Sequence, residues 1–163
     1  MSIGSTQASL FAAFRDARVE YAVVGGMAVN AHGFIRGTRD LDVFIRPTME
    51  NASAVFAALT ALGAPLEGLT AEDLLDDEAQ FQLSTTSGGI DILSSIGEMT
   101  FDRVWRNRVE GTVDGIVVPF ISKADLIENK LQVGRTLDIA DAEHLMLIPD
   151  SESLHLEIEP EKQ

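Results

Sequence analysis

Two aspartates one residue apart, Asp40 and Asp42, open the apolar run Leu41-Asp42-Val43-Phe44-Ile45 and constrain this chain more than any other feature. Such a run reads as a strand, and strand side chains alternate between faces. Asp40 and Asp42 then point one way while Leu41 and Val43 point into a core. Two like charges about 7 Å apart along one strand face repel each other. A cation between them would turn that repulsion into binding. Ahead of the pair, the short apolar strand Tyr21 to Val24 runs into Gly25-Gly26, where paired glycines break the strand and let a ligand come close to the backbone. Met27 to His32 supplies about one and a half turns of helix, which Gly33 can end.

With 163 residues, 45% hydrophobic and 23% charged, the chain reads as one globular domain with a real core. It has no cysteine, so disulfides and thiolate metal sites are excluded. Met1 to Leu10 lacks the basic start and apolar run of a signal peptide, and there is no run of 18 apolar residues, so a bacterial-type cytosolic, cytoplasmic protein without membrane attachment is expected. The net charge of −14 argues against non-specific binding to duplex nucleic acid. The few basic residues are grouped: Arg36, Arg39 and Arg46 bracket the aspartates, and Lys123, Lys130 and Arg135 lie together further on. A locally positive pocket for a small polyanion is one reading; solvated surface charge is the other.

Along the rest of the chain, Ser5 to Arg18 carries a helical apolar stripe, and Met49 to Leu62 carries another after Arg46-Pro47 ends the aspartate strand. Asp73, Asp76, Asp77 and Glu78 fall in a loose acidic segment with a short helix around Ala71 to Leu75. They read as a solvated loop ahead of metal ligands. Phe81 to Ser84 and Ile90 to Leu93 flank a Thr/Ser/Gly loop and predict a hairpin. Its second strand holds Ile90-Asp91-Ile92. An aspartate inside an apolar strand is costly to bury alone, so Asp91 faces solvent or meets a cation. Phe101 to Arg108 is a short helix or link, and Val109 to Val113 with Ile116 to Ile121 forms a hairpin across Asp114-Gly115. Ser122 caps a helix from Lys123 to Val133, and Leu137 to Leu147 forms another. The expected organisation is a single domain over residues 1–148 and an acidic tail over 149–163, mobile or docked as a loose strand.

Three carboxylates on neighbouring strands make an oxygen-only site that suits Mg²⁺ or Mn²⁺. Asp40 and Asp42 would hold metal, and Asp91 would complete the site and take a proton from an attacking hydroxyl. Gly25 and Gly26, at a helix start, would offer backbone N–H groups to a triphosphate.

The order Gly25-Gly26, Asp40-Leu41-Asp42-Val43, Ile90-Asp91-Ile92 resembles the nucleotidyltransferase superfamily that includes DNA polymerase beta and kanamycin nucleotidyltransferase. Val24-Gly25-Gly26-Met27-Ala28, Arg36-Gly37-Thr38-Arg39-Asp40-Leu41-Asp42, Lys123-Ala124-Asp125-Leu126-Ile127-Glu128-Asn129-Lys130, Gly134-Arg135 and Asp138-Ile139-Ala140-Asp141 look like the branch with the AbiEii-type abortive-infection toxins. The likeness spans roughly Tyr21 to Leu147. Two departures stand out: Gly26 replaces the superfamily's common serine, and the C-terminal helical region of the larger toxins is reduced to two short helices.

The resemblance implies a mixed α/β sheet with helices mainly on one face. It also implies transfer of a nucleoside monophosphate from an NTP such as ATP to a hydroxyl acceptor on RNA, protein or a small molecule, in a toxin–antitoxin or phage-defence setting. Asp40, Asp42 and Asp91 would be catalytic and metal-binding; Gly25, Gly26, Arg39, Lys123 and Lys130 would bind nucleotide. The rival expectation is a catalytically inactive nucleotide-binding or interaction module with a protein partner. Blander readings stand beside these. The aspartate pair could be satisfied by Thr38 and Arg39, the glycines could serve geometry alone, and Lys130 could pair with Glu128 or Asp138. His32 and His144 read as helix residues, packed or solvated, ahead of ligands or bases.

Overall fold

The computed structural model describes residues 5–78, 81–151 and 154–156. The apolar run after Asp40 forms strand β2, Leu41–Ile45, an interior strand of the seven-stranded mixed sheet that the described residues form. In chain order the elements are α1 (Ser9–Asp16), β1 (Tyr21–Val24), α2 (Gly25–Ala31), β2, α3 (Met49–Ala61), a 3₁₀ turn at Ala71–Leu75, β3 (Phe81–Thr85) and β4 (Gly88–Leu93). After these come α4 (Phe101–Asn107), β5 (Val109–Val113), β6 (Ile116–Phe120), α5 (Lys123–Val133), α6 (Thr136–Leu147) and β7 (Leu154–His155). The sheet order is β3-β4-β2-β1-β6-β5-β7. β2 runs antiparallel to β1 and parallel to β4.

Alternation holds on β2 where it counts. Leu41, Val43, Phe44 and Ile45 are buried, and Asp42 is half-buried on the other face. Phe11 and Phe14 of α1 pack with Tyr21, and Val55, Ala58 and Leu59 bring α3 into the same core. Thr48 caps α3 by accepting from the Asn51 amide at 3.2 Å, and Ser122 caps α5 by accepting from Asp125 at 3.1 Å.

Several expectations shift. The helix at Ser5 to Arg18 shortens to α1, because Ser5 and Gln7 bond to the β3–β4 turn instead, the Ser5 carbonyl accepting from the Thr86 N–H and the Gln7 N–H donating to Ser87 Oγ. Gly25 starts α2 rather than merely breaking the strand. Asp40 precedes β2, so the expected strand alternation does not relate it to Asp42. The region past Asp150 falls partly outside the described residues, but Leu154 and Leu156 are buried and β7 pairs with β5. Asp73 accepts from the Thr70 amide at 2.7 Å and Asp77 from the Ser94 hydroxyl at 3.0 Å, which accounts for two acids of the exposed acidic segment as local ties. Among the described residues, no helix is long and apolar enough to cross a membrane.

Candidate active site

Asp42 occupies the point where three segments meet. Across β1 it lies opposite Val24, the residue before Gly25; across β4 it lies in register with Asp91. In-register residues on adjacent parallel strands share a face about 4.8 Å apart, so the two carboxyl groups face each other. Gly25 has a φ of +66°, and a Cβ there would overlap the Asp42 carboxylate. Glycine is therefore required twice over, for backbone angle and for room. A Cβ at Gly26 would stand 2.8 Å from Thr38 Oγ1 and 3.1 Å from Arg36 Nη2, so the loop before Asp40 closes over the start of α2.

These groups line a cleft of about 500 Å³. Gly25, Gly26, Arg36, Asp40, Asp42 and Asp91 line it, together with Lys130, Arg135 and Asp138 from α5, α6 and the turn between them. Leu93, Ile96, Val133 and Leu137 add apolar surface. The cleft is not the positive pocket that the basic clusters suggested. Four carboxylates line it against three cations, and every one of those cations is already engaged. Arg36 reaches the fully buried Asp141 through two contacts, Nε to Oδ1 at 2.9 Å and Nη2 to Oδ2 at 3.0 Å. Lys130, itself buried, lies 3.2 Å from Asp138 and 3.1 Å from Asp141, and Arg135 lies 2.7 Å from Asp138. Burial pushes Asp138 up, but hydrogen bonds from Arg135 and Lys130 outweigh it and hold the carboxyl below its ordinary range.

Asp42 goes the other way. Burial, then the neighbouring Asp91 carboxyl within hydrogen-bonding reach, then the charges of Asp91 and Asp40 push it up to about 7, with Lys130 opposing. Lys130 alone does not offset that burial and crowding of negative charge. The donor chemistry therefore fits a hard divalent cation at Asp42 and Asp91, with Asp40 at the mouth. As the side chains lie, no three acidic or histidine groups among the described residues stand close enough to hold one ion together. The protein offers a carboxylate pair, which is what Mg²⁺ commonly takes when substrate phosphates and water complete its shell.

Of the residues picked from sequence, Gly25, Gly26, Asp40, Asp42, Asp91 and Lys130 line the cleft. Arg39 and Lys123 do not. Arg39 is exposed and contributes its carbonyl, not its guanidinium, to the local structure. Lys123 donates to the Ile148 carbonyl and pairs with Asp150 at 3.2 Å. Arg46 pairs with Glu20 and Asp102 and sits over the Phe101 ring. Arg36 and Arg135 take the basic positions instead. The pairing of Arg36 with Asp141 spans 105 positions, and nothing in the sequence pointed to it. The expected helix-dipole contribution is small, because α2 has only seven residues. His32 is a core residue: its Nε2 is 2.8 Å from the Ile121 carbonyl, and burial holds its pKa down. His144 stacks on Phe34 with centroids 4.2 Å apart.

No known protein-family model matches the chain, and no curated protein matches it. Solved structures do. A lincosamide antibiotic adenylyltransferase, LnuA, in its lincomycin-bound form superposes with a TM-score of 0.57 at 19% identity, over 90% of this chain and 99% of that one. A candidate nucleotidyltransferase from Thermotoga maritima gives 0.55 at 14% identity, over 85% and 88%. ANT(2″)-Ia in complex with adenylyl-2″-tobramycin gives 0.52 at 14% identity, over 84% and 83%. The chain thus has a nucleotidyltransferase-like fold. At these identities the likeness is one of fold; the chemistry has to be argued from the cleft.

Proposed function

We propose that the protein is a divalent-cation-dependent nucleotidyltransferase that moves a nucleoside monophosphate from an NTP to a hydroxyl acceptor. The observation that carries this is the facing pair Asp42 and Asp91 beside Gly25, with Asp42 pushed up to about 7 by burial and by the neighbouring carboxylates. Asp42 and Asp91, with Asp40, would hold Mg²⁺ or Mn²⁺, which when bound supplies charge neutralisation on the reacting phosphate. Gly25 and Gly26 leave room for the triphosphate, and Arg36, Lys130 and Arg135 supply positive charge, shared with Asp138 and Asp141. Asp91 accepts the proton as the acceptor oxygen bonds to the α-phosphorus and the bond to the bridging oxygen breaks, releasing pyrophosphate. The acid–apolar–acid order and the α5–α6 motifs favour placement near the AbiEii-type branch, in a toxin–antitoxin or phage-defence setting. The adenylyl group in the descriptions of two similar structures favours ATP as donor, and the apolar stretch of the cleft favours a small-molecule acceptor.

The second reading is a catalytically inactive nucleotide-binding or interaction module. It draws support from the ion pairs that already occupy all three basic residues lining the cleft. Incubation with Mg²⁺ and labelled NTPs separates the two. The transferase releases pyrophosphate or labels an acceptor, and Asp42→Ala lowers the rate by at least about a hundredfold. Turnover that survives that substitution removes the assignment.

A further inference from the structure

Gln7 lies outside the cleft lining, yet its buried side chain ties together the backbone segments that carry the carboxylates. It is 1% exposed. Its Nε2 donates one hydrogen bond to the Arg39 carbonyl at 2.6 Å and another to the Gly89 carbonyl at 2.7 Å. Its backbone N–H donates to Ser87 Oγ at 2.9 Å. Arg39 immediately precedes Asp40, and Gly89 is two residues before Asp91.

The pairing of β2 with β4 runs from Leu41–Ile90 to Phe44–Leu93. Arg39 and Asp40 lie beyond it, opposite Gly88 and Gly89, with no ladder to hold them in register. Gln7 spans that gap with both of its amide hydrogens. The approach is close enough to dictate sequence. Gly88 has a φ of +141°, and a Cβ there would overlap the Arg39 carbonyl and stand 2.8 Å from Gln7 Nε2. A Cβ at Gly89 would stand 2.7 Å from Asp40 Oδ1, so the Asp40 carboxylate rests on the Gly89 backbone. A buried amide serving two backbone carbonyls leaves both unsatisfied when it is lost.

We infer that Gln7 is a positioning residue of the cleft: it fixes Asp40 relative to Asp91 and thereby sets affinity for the cation. This rests on the reading that these carboxylates hold one. The test is a titration with Mn²⁺, without nucleotide, read as free-ion electron paramagnetic resonance. It compares wild type, Gln7→Met, Ser87→Ala and Asp42→Ala, with thermal melts recorded alongside. Gln7→Met keeps the bulk and removes both donors; its affinity should fall about tenfold, the lower end of what loss of outer-shell support costs. Ser87→Ala removes the hydroxyl that accepts from the Gln7 N–H and lies 3.4 Å from Thr85 Oγ1, and should weaken binding measurably but less than Gln7→Met. A purely structural role would lower the melting temperature and leave the affinity of folded molecules unchanged. Wild-type affinity in both variants, with binding lost in Asp42→Ala, overturns the inference and leaves the site reading intact. Should Gln7→Met not fold, Ser87→Ala decides alone. Mn²⁺ binding that is absent in wild type, or indifferent to Asp42→Ala, overturns both.

Discussion

Asp42 has a cost that can be measured without any substrate. Its folded-state pKa of about 7 lies above the ordinary value of 3.8, so the native state binds the extra proton. Stability from this group is fully present below about pH 4 and is lost as pH rises to about 7. Asp42→Asn stays neutral throughout. In chelator at pH 8 it should melt roughly 3–8 °C above wild type, the gap closing toward pH 4; at this size each kcal/mol is about 2–4 °C. Equal melting temperatures at pH 8 would show that the carboxyl is not strained by its site. Asp42 and Asp91 were legible in the sequence because a carboxylate inside an apolar strand conflicts with its surroundings. Gln7 was not, since an isolated glutamine ahead of a helix gives no pattern. Arg36 was noticed only as charge, because its partner Asp141 is 105 positions away and only the fold brings the two together.

At the scale of elements, the strands were the most legible part. Tyr21–Val24 and Leu41–Ile45 fall where apolar runs meet Gly-Gly and Arg-Pro, and β5 and β6 fall on either side of Asp114-Gly115. Helix starts were less so. Gly25 enters α2 with positive φ, which periodicity cannot detect because glycine carries no side-chain signal. This β1–α2 junction is where strand, helix and carboxylate come closest. Gly25→Ala forces both a disfavoured backbone angle and displacement of Asp42. It should destabilise the protein by about 1–3 kcal/mol in chemical denaturation and abolish cation binding at the cleft. A variant that binds Mn²⁺ as tightly as wild type would mean that Asp42 has space to spare.

For the molecule as a whole, the order of motifs predicted the mixed sheet, and the superposition on nucleotidyltransferases agrees with it. The C-terminal region was harder, because a run of acids with few apolar residues reads as either a mobile tail or a loosely docked strand, and only the docked strand accounts for β7. Leu154 is nonetheless 3% exposed, against Gly111, which has no side chain to fill that space. Leu154→Ala should cost about 2–3 kcal/mol, visible as a lowered denaturation midpoint; an unchanged midpoint would mean that β7 is marginal to the fold. The central claim is that the carboxylate pair holds a cation which in turn holds a nucleoside triphosphate in an otherwise acidic cleft. The most direct measurement is the melting temperature of wild type and Asp42→Ala with ATP alone, Mg²⁺ alone, and both together. A ligand bound only by the folded state raises it. The prediction is a rise of several degrees for wild type with Mg²⁺ and ATP together, little with ATP alone, and none for Asp42→Ala. An equal rise with ATP alone, or an equal response from Asp42→Ala, would contradict it.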